Sequence, residues 1–203
     1  MLIQGQVVQK VPNQRSNGNP NLLQLSLGEL GVSEVLPRLF ALGWSGQIWS
    51  AANQTATAVS AALATTYTGL MIYNPLGSGV NLVPLKVKFA LSVAPAAIAT
   101  IGLLGGYSAT GGVTAQTTKL TPQNGIIGNT SSGQAVPLAA ATIVTPTWIE
   151  HLEDGFTAAA LPAPTPPQYL DGHLAVAPGG FLGIGALTAI TGLGSIFWAE
   201  LPV

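Results

Sequence analysis

Six residues between positions 150 and 173 have side chains that can act as acids, bases or metal ligands. They are Glu150, His151, Glu153, Asp154, Asp171 and His173. Carboxylates and imidazoles in such numbers could bind a divalent cation or transfer protons. Their spacing, however, matches neither the HExxH pattern of zinc enzymes nor the loop of an EF-hand. We therefore predict that the first four residues form the solvated face of a short helix and that no metal site is present. The other two residues are predicted to lie at a turn and at a strand edge.

The motifs of nucleophilic catalysis and phosphate binding are incomplete. Ser45 lies in GWSGQ, where Gln47 replaces the last glycine of the G-x-S-x-G turn. The glycines of GLLGGYSATGG are not followed by the Lys-Ser/Thr pair that holds phosphate and magnesium. GIGALT lacks the last glycine of the dinucleotide-binding fingerprint. We predict no catalytic residues, no cofactor and no enzymatic activity.

Four tryptophans offer a different chemistry, the stacking of sugar rings. They are Trp44, Trp49, Trp148 and Trp198. Trp44 and Trp49 are five residues apart, which on one strand would place them on opposite faces, so that only one of them faces the core. The other is then available for an interface, where tryptophan is enriched. With aromatic residues at 6% of the chain, a sugar-binding surface is the less favoured interpretation.

The elements that would position these residues belong to a chain with very little charge. Charged residues make up 6% of the 203 residues, where about 25% is usual, and the formal net charge is −1. Six Lys and Arg residues scattered along the chain form no basic stripe, so we predict no nucleic-acid partner. The absence of cysteine excludes disulfides and thiolate metal sites. The opening MLIQGQVVQK lacks the pattern of a secretory signal.

Two uncharged segments, 89–118 and 172–199, are each long enough to cross a bilayer as a helix. Their patterns favour strands instead. In LKVKFALSV, Leu85, Val87, Phe89, Leu91 and Val93 alternate with small or charged residues, which is typical of a strand with one buried face. In HLAVAPGGFLGIGA, a Pro-Gly-Gly turn separates two apolar runs. We therefore predict no membrane insertion.

The order of runs and turns predicts two regions. Residues 1–37 are polar and interrupted by proline and glycine, and they are predicted to form an extended arm, with a flexible terminus as an equal alternative and one helical turn near Ser33. Residues 38–203 contain many short apolar runs separated by turns, and they are predicted to form an all-β, jelly-roll-like β-sandwich of about eight strands. In this domain TPTWIEHLEDGF has helical spacing, and the proline-rich LPAPTPPQYLDG is predicted to be a loop.

Charge depletion also predicts association. Residues 89–149 contain a single charged residue, Lys119, although so long a segment must include outward-facing strand positions. Because the interiors of protein interfaces are poor in charge, we expect many of these positions to face another subunit.

Three stretches resemble a group of tailed-phage virion structural proteins: SLGELGVSEVLPRLFALGWSGQIWSAANQ, YTGLMIYNPLGSGVNL and DGHLAVAPGGFLGIGA. The similarity includes an Asn-Pro-x-x-Ser-Gly turn at 74–79 and a Pro-Gly-Gly hairpin at 178–180, and it covers most of the chain after Ser26. The resemblance implies a capsid decoration, cement or minor virion protein, often a homotrimer, and it transfers no functional residues.

The expected function is therefore that of a non-enzymatic virion protein. Its partners would be itself, as a homotrimer, and a major capsid protein or other virion proteins, and its location would be a virion assembled in the host cytoplasm. The alternatives are a tail or spike module that binds a receptor or glycan, and a holin-like membrane protein.

Overall fold

The structure of the chain is a computed structural model that describes residues 23–24, 30–31, 39–97, 99–130, 132–156 and 167–203. The chain divides into two compact units, Met1–Ala41 and Leu42–Val203. Within 1–37 the structure describes one short antiparallel pair, β1 (Leu23–Gln24) with β2 (Leu30–Gly31). The rest of the predicted arm, the helical turn near Ser33 and the first half of the proline-rich loop, 161–166, lie outside the described residues. The second half of that predicted loop contains a two-residue strand, Gln168–Tyr169, followed by a turn.

The second unit contains two antiparallel six-stranded sheets, and strands make up 56% of the described residues against 3% in helix. The predicted all-β sandwich is thus confirmed. The described elements are β1 (Leu23–Gln24), β2 (Leu30–Gly31), α1 (Phe40–Trp44), β3 (Ile48–Ala52), β4 (Thr57–Val59), β5 (Thr66–Tyr73), β6 (Val80–Leu91), β7 (Ala99–Tyr107), β8 (Val113–Lys119), β9 (Gln123–Asn124), β10 (Val136–Ile143), β11 (Thr147–Phe156), β12 (Gln168–Tyr169), β13 (Gly180–Ala186) and β14 (Ile190–Pro202).

Eight of these strands follow the strand order of a jelly roll. One sheet contains the order β12-β6-β14-β3, and the other contains β11-β7-β13-β5. If these eight strands are numbered from 1 to 8 along the chain, the first sheet has the order 6-3-8-1 and the second has the order 5-4-7-2. This interleaving, in which the last strand lies beside the first, is the double Greek key of the jelly-roll fold.

The remaining large strands come from an insertion at residues 108–146, between β7 and β11. In this insertion β10 pairs with β5, β8 pairs with β10, and β9 pairs with β3. Strands β3 and β5 would otherwise end their sheets, so the insertion covers both edges and makes β8 the new edge of one sheet. Edge strands are sites where another chain can pair, because their outer backbone N–H and C=O groups have no partner strand.

The main core lies between the two sheets and follows the alternation of strand side chains. Leu70 and Ile72 of β5, Ile184 of β13, and Ile196 and Trp198 of β14 are buried in it. The period-two pattern predicted for 85–93 is confirmed for the strand itself. Its apolar positions are buried up to the end of β6 at Leu91, where burial becomes partial, and the last predicted position, Val93, follows the strand and is exposed.

A second core lies on the opposite face of the β5-containing sheet. It consists of residues from all six strands of that sheet, among them Tyr67, Met71, Leu104, Leu138 and Phe181. The sequence neighbours of Met71, Leu104 and Phe181 belong to the first core, namely Leu70, Ile72, Leu103 and Leu182, and neighbouring residues of a strand point to opposite faces. This sheet is therefore apolar on both faces.

Curling of the sheet encloses the second core. Strand β5 carries a register irregularity opposite Leu138 and Ala140, and Gly69 there has a φ of 127°. The chain beyond β10 reaches back over β7, since a Cβ built on Gly106 would lie 3.1 Å from the carbonyl oxygen of Val144. The predicted strand count of about eight describes the jelly roll but not this addition.

The helix predicted around Trp148, Ile149 and Leu152 is wrong, because residues 147–156 form strand β11. Its pairing with β7 has register shifts between Trp148 and Glu150 and between His151 and Glu153. Each shift adds a residue on β11 and changes the face of the residues that follow. As a result Trp148 packs on the second core and Leu152 on the first. On a regular strand these two residues, four apart, would share a face.

The two uncharged segments form strands, as predicted: 89–118 contains the end of β6, all of β7 and most of β8, and 172–199 contains β13 and most of β14. In the part of the chain that the structure describes, no helix has the length and apolar character needed to span a membrane.

Candidate interaction surface

Of the four residues predicted to be solvated, Glu150 and His151 are exposed on β11, whereas the side chains of Glu153 and Asp154 lie outside what the structure describes. Nε2 of His173 lies 3.5 Å from Oε2 of Glu150, and both side chains are about half exposed. The ring of His151, also exposed, lies 5.6 Å from that of Trp148. Asp171 is exposed in a turn with a φ of 44°. Within the described ranges no three His, Cys, Asp or Glu residues are grouped to hold a metal ion.

The other candidate motifs have structural roles. The hydroxyl of Ser45 donates to the carbonyl oxygen of Leu42 at 3.0 Å, in the turn that follows α1. The glycines of GLLGG lie in β7 and those of GIGA lie in β13, so both stretches are parts of one sheet and neither is a phosphate-binding loop.

The tryptophans divide into buried and exposed residues. Trp49 and Trp198 are buried and face each other across the β3–β14 pair. Trp148 is partly buried on the second core. Trp44 is 77% exposed. The expectation that only one of Trp44 and Trp49 faces the core is confirmed. Its premise, that both residues lie on one strand, is wrong, because Trp44 lies in α1 and Trp49 in β3.

The two turn motifs that carry the resemblance meet at one end of the sandwich. The backbone N–H of Asn74 donates to Gly180 O at 2.9 Å, and the N–H of Gly179 donates to Asn74 O at 2.7 Å. The fully buried Asn74 amide donates to the carbonyl oxygens of Val80 and Val176, both at 2.8 Å. The sequence indicated two separate turns, whereas the structure joins them into one buried network.

Beside this junction lies an open groove of about 350 Å³. Its lining is glycine and apolar residues, including Tyr107, Ile149, Leu174 and Phe181, with the hydroxyl of Thr147 as a polar side-chain group. A ligand site normally adds a few convergent polar groups that orient the ligand. None of the described residues that line the groove is charged, so it is better suited to apolar contact than to catalysis.

Glu200, which sequence reasoning missed, anchors the insertion to the sandwich. Its carboxylate accepts hydrogen bonds from the backbone N–H groups of Gln134 and Ala135 at 2.9 Å and from Nε1 of Trp198 at 3.2 Å. Residues two apart on a strand share a face, so a lone Glu two residues after a Trp in an uncharged segment is the signal that could have identified it. This buried anchor holds the chain immediately before β10.

The exposed part of the insertion is uncharged apart from one lysine. Thr114, Ala115, Gln116, Thr117, Thr118 and Lys119 of β8 are all exposed. In the next turn, Asn124 Nδ2 donates to Gly46 O at 2.7 Å and Ile126 N–H donates to Asn124 Oδ1 at 2.9 Å. The turn presents Ile127, which is 98% exposed. A surface of this kind, apolar or neutral and held by buried anchors, is suited to contact with another protein.

Comparison with protein-family models, curated proteins and solved structures finds no match to this chain. The inference of function therefore depends on the fold and on these surfaces.

Proposed function

We propose that the chain is a non-enzymatic structural protein of a tailed-phage particle. It assembles as a homo-oligomer, with a trimer as the expected state, and attaches to the major capsid protein or to other virion proteins. The virion is its proposed location.

The observation that carries this proposal is the exposure of uncharged side chains within 89–149. This segment has one charged residue, yet it contributes Val93, Tyr107, Ile127 and five neutral residues of β8 to the exposed surface. The core of a protein–protein interface is depleted in charged residues, as this surface is. Low net charge also gives the copies little mutual repulsion.

The jelly-roll order adds support, since this architecture is used in viral capsid domains. It is also used in lectins, so the fold alone does not select the particle role. The resemblance of the turn motifs at 74–79 and 178–180 to virion proteins favours the particle, and the contact between these motifs makes them one structural unit.

The proposal is tested by measuring the mass of the purified chain in dilute solution by sedimentation velocity. We expect an oligomer at micromolar concentration, with three copies as the specific expectation. A stable, soluble monomer would contradict the proposal. Labelling the protein on intact particles and imaging them would then identify its position.

One observation favours the glycan-binding alternative, namely the 77% exposure of Trp44. An exposed indole ring provides a stacking surface for a sugar, and Trp49 does not, because it is 5% exposed. If this alternative holds, Trp44→Ala removes glycan binding on an array while leaving the fold intact. Binding that is absent in the wild type, or unchanged in the variant, would reject the alternative.

A further inference from the structure

The two edge strands of the β5-containing sheet differ in charge. At one edge, β11 carries Glu150, Glu153 and Asp154 in its sequence. At the other edge, β8 carries a single charge, Lys119, in its last position. Both strands show register shifts against their inner neighbours, so bulges do not distinguish them. Charges on an edge are a common protection against pairing with another chain, and only the β11 edge has several of them.

Strand β8 is accessible over most of its length. It pairs with β10 on one side only, and the six residues from Thr114 to Lys119 are exposed on both faces of the strand. It contains neither proline nor glycine, and its three threonines favour the strand conformation. The unpaired backbone N–H and C=O groups of such an edge are satisfied either by water or by another strand.

We propose that two copies of the chain associate through their β8 strands, antiparallel, about a two-fold axis at Gln116. In this register Gln116 lies opposite its symmetry mate, and Thr114 lies opposite Thr118 of the other copy. Cross-strand Thr–Thr pairs stabilise antiparallel sheets. The contact is self-complementary, as a two-fold interface must be.

The charge distribution is compatible with this register. Lys119 of one copy lies opposite Val113 of the other, so the two lysines are six residues apart along the pair, about 20 Å at the rise of a strand. Charges at that distance are largely screened at physiological ionic strength, where the screening length is about 8 Å. By contrast, a pair of β11 strands would bring carboxylates close together.

This inference rests on the self-association in the proposed function and specifies one contact of it. The two-fold contact joins copies in pairs, so a chain that also forms trimers through another surface would yield a hexamer of two trimers.

The test uses the symmetry of the Gln116 position. Gln116→Glu places two carboxylates opposite each other and Gln116→Lys places two ammonium groups there, so each variant alone should raise the dissociation constant of the pair by more than about tenfold. An equimolar mixture of the two variants places opposite charges together and should restore pairing. Gln54→Glu, at an exposed position in the loop after β3, is the matched control and should leave association unchanged.

Association is measured by sedimentation equilibrium, and folding of each variant by urea denaturation. Two charged variants that associate like the wild type would overturn the proposed contact, as would two weakened variants that the mixture fails to restore. In both results the wild type still associates, so the proposed function stands. A monomeric wild type would instead contradict both proposals.

Discussion

The two faces of the β5-containing sheet bury apolar side chains in different ways. Towards the other sheet, Ile184 and its neighbours fill the space between two layers, as in any β-sandwich. On the opposite face, large side chains lie close to the backbone of the sheet over glycines. A Cβ built on Gly185 would lie 2.7 Å from Leu104 Cδ2 and 2.9 Å from Trp148 Cζ3.

Glycine therefore has a packing role on the second face. Along β13, Gly183 and Gly185 alternate with Leu182 and Ile184. Over this stretch one face of the strand carries large side chains, and the other leaves room for side chains from neighbouring strands. The repeated glycines that make this segment unsuitable as a helix are the positions where Tyr67, Met71, Leu104 and Trp148 are accommodated. Among the described residues, the second face is thus buried without a third layer, because glycines on its strands leave room for large side chains.

The largest effect is expected for a truncation in the core between the sheets. Ile184→Ala removes a fully buried side chain, and we expect a loss of about 2 to 5 kcal/mol in the free energy of unfolding. Urea denaturation measures this loss. Leu187→Ala, at an exposed position after the same strand, is the control, and an equal loss in both variants would contradict the assignment of Ile184 to the core.

A smaller loss is expected when space is removed from the second face. Gly185→Ala places a methyl group against Leu104 and Trp148, and overpacking of this kind costs about 1 to 3 kcal/mol. The control is Gly43→Ala in α1, where the nearest atom to the added Cβ, Ile48 Cδ1, lies 3.9 Å away. If Gly185→Ala proved as stable as the wild type in urea, the second face would not be tightly packed.

The smallest effect tests one hydroxyl group on the second face. Tyr67 Oη lies within hydrogen-bonding distance of two carbonyl oxygens, Ile184 O at 2.7 Å and Leu70 O at 2.8 Å, and can donate its proton to either. Tyr67→Phe leaves these acceptors without that donor and should cost about 1 to 2 kcal/mol. Denaturant titrations of variant and wild type at neutral pH measure the difference.

Burial raises the pKa of Tyr67, because the low-dielectric site disfavours the charged phenolate. Because the unfolded chain releases the phenolic proton near pH 10 and the folded chain does not, the wild type should lose stability as the pH rises above about 10. Tyr67→Phe should lose less over the same range. Parallel pH profiles of wild type and variant would show that Tyr67 titrates equally in both states.

Much of the sandwich could be predicted because its signals are local. The alternation in 85–91 and the turns at 74–79 and 178–180 depend on residues next to one another, and the structure has strands and turns at these places. The exposure of Glu150 and His151 was predicted as well, although the element that carries them was not.

The failures have non-local causes. Helical spacing in 148–152 reflects bulges on β11, and a bulge is defined by the partner strand, β7, more than forty residues earlier in the sequence. The anchoring of Gln134 and Ala135 by Glu200 joins positions about 65 residues apart. The exposure of Trp44 was not distinguished from the burial of Trp49, because each depends on its own element.

By itself, the sequence determined that the chain forms many short strands, that catalytic motifs are incomplete and that little charge is available for the surface. These properties follow from residue type and near-neighbour spacing. The tertiary structure alone decided that the insertion at 108–146 covers β3 and β5, that the inner strands of one sheet bury side chains on both faces and that β8 is left as an edge with a single charge. The physical reason is that strand pairing and side-chain packing join residues distant in sequence, and no local pattern specifies which strands become neighbours.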